Sequence, residues 1–323
     1  MKMSNNSTKS CICAGIDVGK ASLAYALADR EGSSQCANTL EGRAQMIAFF
    51  KSENVTRIGI ESTASYHFEA ADELRAEGFE VHILLPQQVK AYATFKLQRA
   101  KSDPIDAGLI AQCTAACDAS RPPPDPRLIP LAEHLTLIDQ ISEDIARAKT
   151  RRDRYRDPRL KKLIDDDIRE KTKLKRTEVA LLLKAVRAHA DLARRLALLF
   201  SIQGIGEPTA LTLLIRMPEL GSLSREEAAS LTGVAPFVHE SGQYKGQRRT
   251  GGGRARARTS LFAAAQAARK WNPALAALYE RLVKAGKPHA VAIIACVRKM
   301  VIYANTILAK NTPWEKRPLQ PAI

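Results

Sequence analysis

Apolar and polar positions change period along this chain, and each change marks an element. From Cys13 to Val18 the residues are mostly apolar, and Gly19 permits a turn into a second apolar run, ASLAYALAD, which predicts a two-stranded hairpin. A weaker strand is predicted over 34–39. RAQMIAFFKSE carries apolar residues at helical spacing, and VTRIGIES reads as a short strand ending at Glu61. A helix is predicted from about Ser65 to Glu77, stopped by Gly78, then a buried strand in EVHILLP and helices over about 87–98 and 104–118. Several strands followed by alternating helices and strands predict an α/β domain with a mixed sheet.

RPPPDPR, residues 121–127, ends that domain, because consecutive prolines cannot continue a helix and form a stiff linker. Leu135, Ile138, Ile141 and Ile145 then recur at helical spacing. A charged stretch from Arg151 to Lys162, broken at Asp157-Pro158, leads to a second helix of about 168–199, so an antiparallel helical hairpin is expected. In SIQGIGEPTALTLLIRM, Gly204 and Gly206 precede an apolar helix, as in helix-hairpin-helix modules. A polar, glycine-rich loop then runs into an alanine-rich helix. The expected division is 1–120, 121–200 and 201–323.

Charge adds a direction to this plan. The net charge of the 323 residues is +16, but residues 1–120 carry 12 Lys/Arg against 14 Asp/Glu, while 121–200 carry 20 against 13 and 201–323 carry 18 against 7. A polyanion held by the later segments and presented to a metal in the first fits this asymmetry. The N-terminal MKMSNNSTKS has no apolar stretch after it, and no run reaches the roughly 20 apolar residues of a membrane span. The six cysteines show no paired CxxC motif and read as packing residues. A soluble, reduced, cytoplasmic protein with no membrane contact is expected.

Four acids carry the candidate chemistry. Asp17 lies in the apolar run CAGIDVG, at the middle of the first strand, and Glu61 ends RIGIE. Asp103 and Asp106 open a helix three residues apart, on one face. Phosphoryl transfer by two metals needs several carboxylates around two hard cations, and Mg²⁺ prefers such oxygen ligands. Asp103-Pro104 also suits a helix cap, with Asp106 favoured in the first turn by the dipole. Asp17 has no such plain explanation, because an acid in an apolar strand is costly unless paired. Between Ser241 and Arg258 there are six Lys/Arg and no acid. Lys245, Arg248, Arg249, Arg254, Arg256 and Arg258, around Gly251-Gly252-Gly253, are expected to contact nucleic-acid phosphates.

With these residues in hand, the chain resembles the DEDD transposases of bacterial insertion sequences, which include the pilin-gene invertases. GIDVGK, IESTASYHFEAADELRAEGFEVHILLPQQVKAYA and KSDPIDAGLIA resemble the family's RuvC-like, ribonuclease-H-like α/β domain. SIQGIGEPTALTLL, LTGVAPFVHESGQYKGQRRTGGGRARAR and NPALAALYERLVKAGKPHAVAIIACVRKM resemble its second, mainly α-helical domain. The likeness covers nearly the whole chain. Pro104, and Phe262 in place of a common tyrosine, are the departures.

The resemblance implies that Asp17, Glu61, Asp103 and Asp106 hold Mg²⁺, as two ions, and that Ser241 is a nucleophile forming a 5′-phosphoserine. It also implies donor and target DNA, a non-coding bridge RNA, and a homo-oligomer, dimer or tetramer. In that oligomer the acids of one copy meet the serine of another, in the nucleoid of a bacterial cytoplasm. Ser260 is the weaker candidate nucleophile, because it falls within a predicted helix. The competing enzyme reading is a Holliday-junction-type endonuclease using the acids and water. A nucleic-acid-binding protein with a degenerate catalytic domain is the non-enzymatic alternative.

Overall fold

In β1 (Cys13–Val18), Ala14, Ile16 and Val18 take one side and Cys13, Gly15 and Asp17 the other, because successive strand residues alternate. β2 (Ser22–Leu27) pairs antiparallel with β1, and β3 (Ser34–Ala37) antiparallel with β2. After α1 (Leu40–Ser52), β4 (Arg57–Glu61) returns parallel to β1. After α2 (His67–Ala76), β5 (Glu80–Leu84) lies parallel to β4. The sheet order is β3-β2-β1-β4-β5, a mixed sheet in keeping with the pattern of the sequence. α3 (Pro86–Phe95) and α4 (Asp103–Ala115) complete this part. The computed structural model describes residues 11–62, 66–98, 103–117, 125–237, 240–241, 244–245 and 249–315. They form two compact units, Met1–Pro123 and Pro124–Ile323.

The two faces of the sheet differ in bulk. One buries Ile16, Leu23, Ile58 and Ile60 against Met46 and Phe50 of α1 and Leu74 of α2. Each such side chain contributes about 1.5–3 kcal/mol of transfer free energy. The other face is lined with Gly15, Gly59, Ala24 and Ala26, and α4 lies on it. Ala107 packs on Ala24 and Ala26. A Cβ at Gly15 would strike the backbone of Ala107 and Ala111, and one at Gly59 would strike Thr114. The two glycines set the seat of α4. Gly15→Val should therefore cost about 3 kcal/mol or more, since the helix backbone cannot yield to the added methyls. Chemical denaturation checks this, and a loss below 1 kcal/mol would mean that α4 does not sit on the sheet as described.

The second unit is helical. α5 (Leu128–Arg152) and α6 (Pro158–Arg187) form an antiparallel hairpin, followed by α7 (Ala190–Phe200), α8 (Glu207–Arg216) and α9 (Arg225–Thr232). Short strands β6 (Pro236–Phe237), β7 (Glu240–Ser241), β8 (Tyr244–Lys245) and β9 (Arg249–Thr250) come next. α10 (Ala255–Trp271), α11 (Pro273–Lys284) and α12 (His289–Lys310) close the unit. One apolar core joins Leu128 to Ile138 of α5 and Leu182 to Val186 of α6 with α7, α8, α10 and α12. The base of the hairpin thus shares a core with residues beyond 200, and there is no break in packing at that point.

Three expectations are corrected by the structure. The second hairpin helix starts at Pro158 rather than near 168, because the Asp157 side chain accepts the Arg159 N–H at 2.8 Å and proline occupies the first helical position. It stops at Arg187, and the extended backbone of His189 separates it from α7. The glycine-rich loop contains paired strands, with β6 on β9 and β7 on β8. Finally, α12 is 22 residues long and apolar enough, by length and composition, to cross a membrane. Ten of its residues, from Ala292 to Leu308, are buried, eight of them in the second unit's apolar core, so its hydrophobicity is that of a core helix.

Candidate active site

Asp17 is the penultimate residue of β1, nearer the strand's end than its middle, and Glu61 is the last residue of β4. The register pairs Ile16 with Ile60, so the two acids follow one another's level on adjacent parallel strands. They also share a face, because each stands two residues beyond a glycine that α4 covers. Both are half-buried, and neither is isolated from polar or charged neighbours.

The course of α4 brings the other pair to the same end. Arg57, first residue of β4, donates Nη1–H to the carbonyl of Cys117 at 3.1 Å, just past the C-terminus of α4. The helix therefore begins at the opposite end, where β1 and β4 finish. Ala107 packs on Ala24, the register partner of Asp17, and Asp103 lies one turn before Ala107. Asp103 is the first residue of α4 and Asp106 lies in its first turn, half-buried. The side chain of Asp103 lies outside the described residues. Among the described residues no three His, Cys, Asp or Glu side chains are gathered as a metal site. Backbone topology thus converges four acids on one face and one end of the sheet. All four donors are carboxylates, the ligand type that a hard cation such as Mg²⁺ takes.

The sequence did not single out what supports this arrangement from beneath. Arg57 spans to Glu80 at 3.1 Å, and Glu80 in turn meets His82 at 2.9 Å. These bonds hold the Glu80 carboxyl below its usual range, with the His82 contact the largest cause. Cys13, on the same face, is buried, and burial pushes its thiol up to about 11. Only Gly15 and Gly59, at matching strand positions ahead of the two acids, offered a signal for the helix seat.

In the second unit, Ser241 ends β7 and pairs with Tyr244, the first residue of β8. Lys245 pairs with Glu240, and Arg249 with Phe237. Arg249 is exposed, while Arg248 lies outside the described residues. The ribbon thus carries the serine and two of the predicted cations, Lys245 and Arg249.

The other three arginines are engaged within the protein. Arg254 forms a two-pronged pair with Glu219, at 2.6 and 2.5 Å, and donates to the Arg216 carbonyl. Arg256 meets Asp139 at 2.7 Å, and Arg216 meets the same carboxylate at 2.8 Å. Arg258 donates to the carbonyls of Thr232 at 3.2 Å and Gly252 at 2.5 Å. These bonds fasten the start of α10 to α5, α8 and α9. Ser260 donates to Thr209 Oγ1 at 3.1 Å, inside the helix packing. The turn holding Gly204 is likewise committed: a Cβ there would strike Ala268, and Asn272 donates to the Gln203 carbonyl at 3.2 Å.

A division of labour follows. Arg254→Ala should lower stability by about 1–2 kcal/mol through loss of charge-assisted bonds. Arg249→Ala should leave the melting temperature unchanged and weaken DNA binding. Thermal melts beside DNA titrations check the pair, and a stability loss in both variants would contradict the assignment.

The comparisons with known proteins bear on both halves. A family model described as a transposase, of the IS110 DEDD type, matches residues 14–155, and one described as the transposase IS116/IS110/IS902 family matches residues 196–280. The pilin gene-inverting proteins of Moraxella bovis and Moraxella lacunata are each 27% identical to it over 263 residues, 80% of this chain and 81% of the relative. The first match spans the sheet, α4 and its acids, and the second spans Ser241 and the ribbon. The chain belongs to the IS110 family of DEDD transposases, enzymes that recombine DNA.

Proposed function

We propose that this transposase cuts and rejoins DNA through a 5′-phosphoserine at Ser241, with Mg²⁺ held by Asp17, Glu61, Asp103 and Asp106 of a RuvC-like domain. The observation that carries the reading is the meeting of β1, β4 and the start of α4 at one end of the sheet, each bringing an acid. The chemistry that Mg²⁺ supplies there is stabilisation of charge on the phosphate oxygens and a lowered pKa for a bound hydroxyl. A free serine hydroxyl is a weak nucleophile and needs such activation.

The steps balance without an energy source. Ser241 Oγ loses its proton as it attacks phosphorus; the Oγ–P bond forms, the bond from phosphorus to the 3′ oxygen breaks, and that oxygen leaves as a 3′-hydroxyl. A 3′-hydroxyl of the partner strand then attacks the same phosphorus, and Oγ leaves with a proton. One phosphodiester is lost and one regained. Lys245 and Arg249 on the ribbon, together with Arg248, hold the strand by its phosphates, while Arg254, Arg256 and Arg258 steady the start of α10. Donor and target DNA are paired by a non-coding bridge RNA, in a dimer or tetramer whose acids act with the serine of another copy. The setting is the bacterial nucleoid. Inversion of a DNA segment, as the names of the Moraxella relatives describe for them, is a variant of the same exchange.

To test this, protein purified with its co-expressed element RNA is incubated with labelled donor and target DNA and Mg²⁺, then run on a denaturing gel. A covalent protein–DNA adduct is expected. Cleavage without an adduct would replace the proposal with hydrolysis by the acids and water.

A further inference from the structure

Beyond the shared core, α5 and α6 continue as a two-helix arm. The last α5 residue in that core is Ile138 and the helix ends at Arg152, so the arm extends about 20 Å at the usual rise per residue. Residues 147–176, which make up its outer part, hold 14 Lys/Arg and six acids. Part of that charge is balanced locally: Arg152 meets Asp165, Lys162 and Arg169 meet Asp166, and Lys171 meets Asp167. Two of the arginines outside these pairs, Arg151 and Arg154, share one place.

That place is an open groove of about 630 Å³, lined by Arg147, Thr150, Arg151, Arg154 and Lys171, with Asp144 as its one acid. Arg147 and Arg151 are one turn apart on α5, and Arg154 lies in the turn after it. Arg151 and Arg154 are exposed and have no ion pair among the described residues. Asp144 bonds to Arg147 at 2.5 Å, which holds its carboxyl below the usual range, and Lys171 and Arg151 add to the effect. The groove already attracts an anion of its own. A helix C-terminus favours cations through its dipole, and this accounts for Arg151. It does not account for Arg154, beyond the helix; Lys171, in the middle of α6, is paired with Asp167.

The groove is also placed along a path. A second cavity of about 370 Å³ lies on the same faces nearer the core: Ser142 and Glu143 stand one turn before Ala146 and Arg147 on α5, and Lys175 one turn after Lys171 on α6. The inner cavity reaches Arg256 and Thr259 at the start of α10, the helix that follows β9 of the serine ribbon. The two cavities thus follow the hairpin from the start of α10 outward to the arginines of the arm. Arginine forks suit phosphate oxygens, and contacts of this kind position a duplex without reading its sequence.

We propose that the α5–α6 arm is a sequence-independent clamp for duplex DNA, gripping phosphates with Arg151 and Arg154 in a groove whose positive field the ion-paired Arg147 and Lys171 share. DNA is favoured over other polyanions because it is the substrate of this family. The inference rests on the reading of the chain as a strand-exchange enzyme, and it adds a contact surface to that reading.

The test uses the full-length protein with its RNA and a double variant, R151E with R154E, whose side chains have no ion pairs to lose among the described residues. Binding to a non-cognate DNA duplex of about 30 base pairs is measured by anisotropy between about 50 and 200 mM salt. The variant is expected to bind about tenfold or more weakly at the low end, and its plot of log affinity against log salt is expected to be shallower by about two. Matching circular dichroism and melting temperature establish that it is folded. Should the variant misfold, R151Q with R154Q serves, with a smaller loss in the same direction. Unchanged affinity and slope would overturn the clamp, as would a loss confined to duplex RNA of the same length. The adduct assay separates the two claims: an intact adduct with unchanged DNA affinity sinks the clamp alone, whereas no adduct in wild type sinks the phosphoserine reading and leaves the binding result standing.

Discussion

Ser241→Ala is expected to abolish the covalent protein–DNA adduct and to reduce strand exchange by about 10³-fold or more, while leaving DNA affinity within about twofold of wild type. The first effect follows because the Oγ–P bond has no substitute atom in alanine, and nucleophile removal costs factors of this order in other covalent enzymes. The second follows because Ser241 ends a short strand at the ribbon and carries no charge. A gel shift beside the denaturing gel separates the two readouts. Persistent cleavage in the alanine variant would make water the nucleophile.

Glu61→Gln is expected to be equally damaging by a different route, with cleavage falling by about 10³–10⁴-fold and binding kept. Glutamine preserves the shape of the site and removes the charge that a divalent ion needs. Chelation of divalent ions should reproduce the effect on the wild type, and added Mg²⁺ should restore the wild type but not the variant. Asp17→Asn should behave the same way, because Asp17 follows the register of Glu61 on the neighbouring strand. Wild-type cleavage that survives chelation would contradict the metal role of both acids.

The first unit was largely legible from sequence, and the reason is local. Its main strands are short apolar runs, the first closed by Gly19 and the last by Pro86, so alternation and spacing placed Glu61 and the start of α4, and put Asp17 on the right strand though nearer its middle than it lies. What alternation did not convey is the seat of α4. It depends on Gly15 and Gly59 meeting Ala107, Ala111 and Thr114, residues about 50–100 positions away. The charged run at 151–162 hid a helix start, because Asp157-Pro158 is as good a cap as it is a break. The arginines after Gly253 look identical in sequence, yet Arg254 and Arg256 are bound by Glu219 and Asp139. No short-range pattern reveals such partners. The apolar stretch of α12, split in sequence by Arg298 and Lys299, is long enough for a membrane and is spent on the core.

The central claim is the identity of the atom that holds the DNA. The most direct measurement is to trap the reaction of the wild-type protein with its RNA, donor and target DNA and Mg²⁺, digest with nuclease and protease, and locate the nucleotide-bearing peptide by mass spectrometry. A 5′-nucleotide attached at Ser241 is the result expected. The same modification on another residue, or labelled DNA ends with no modified peptide at all, would contradict it.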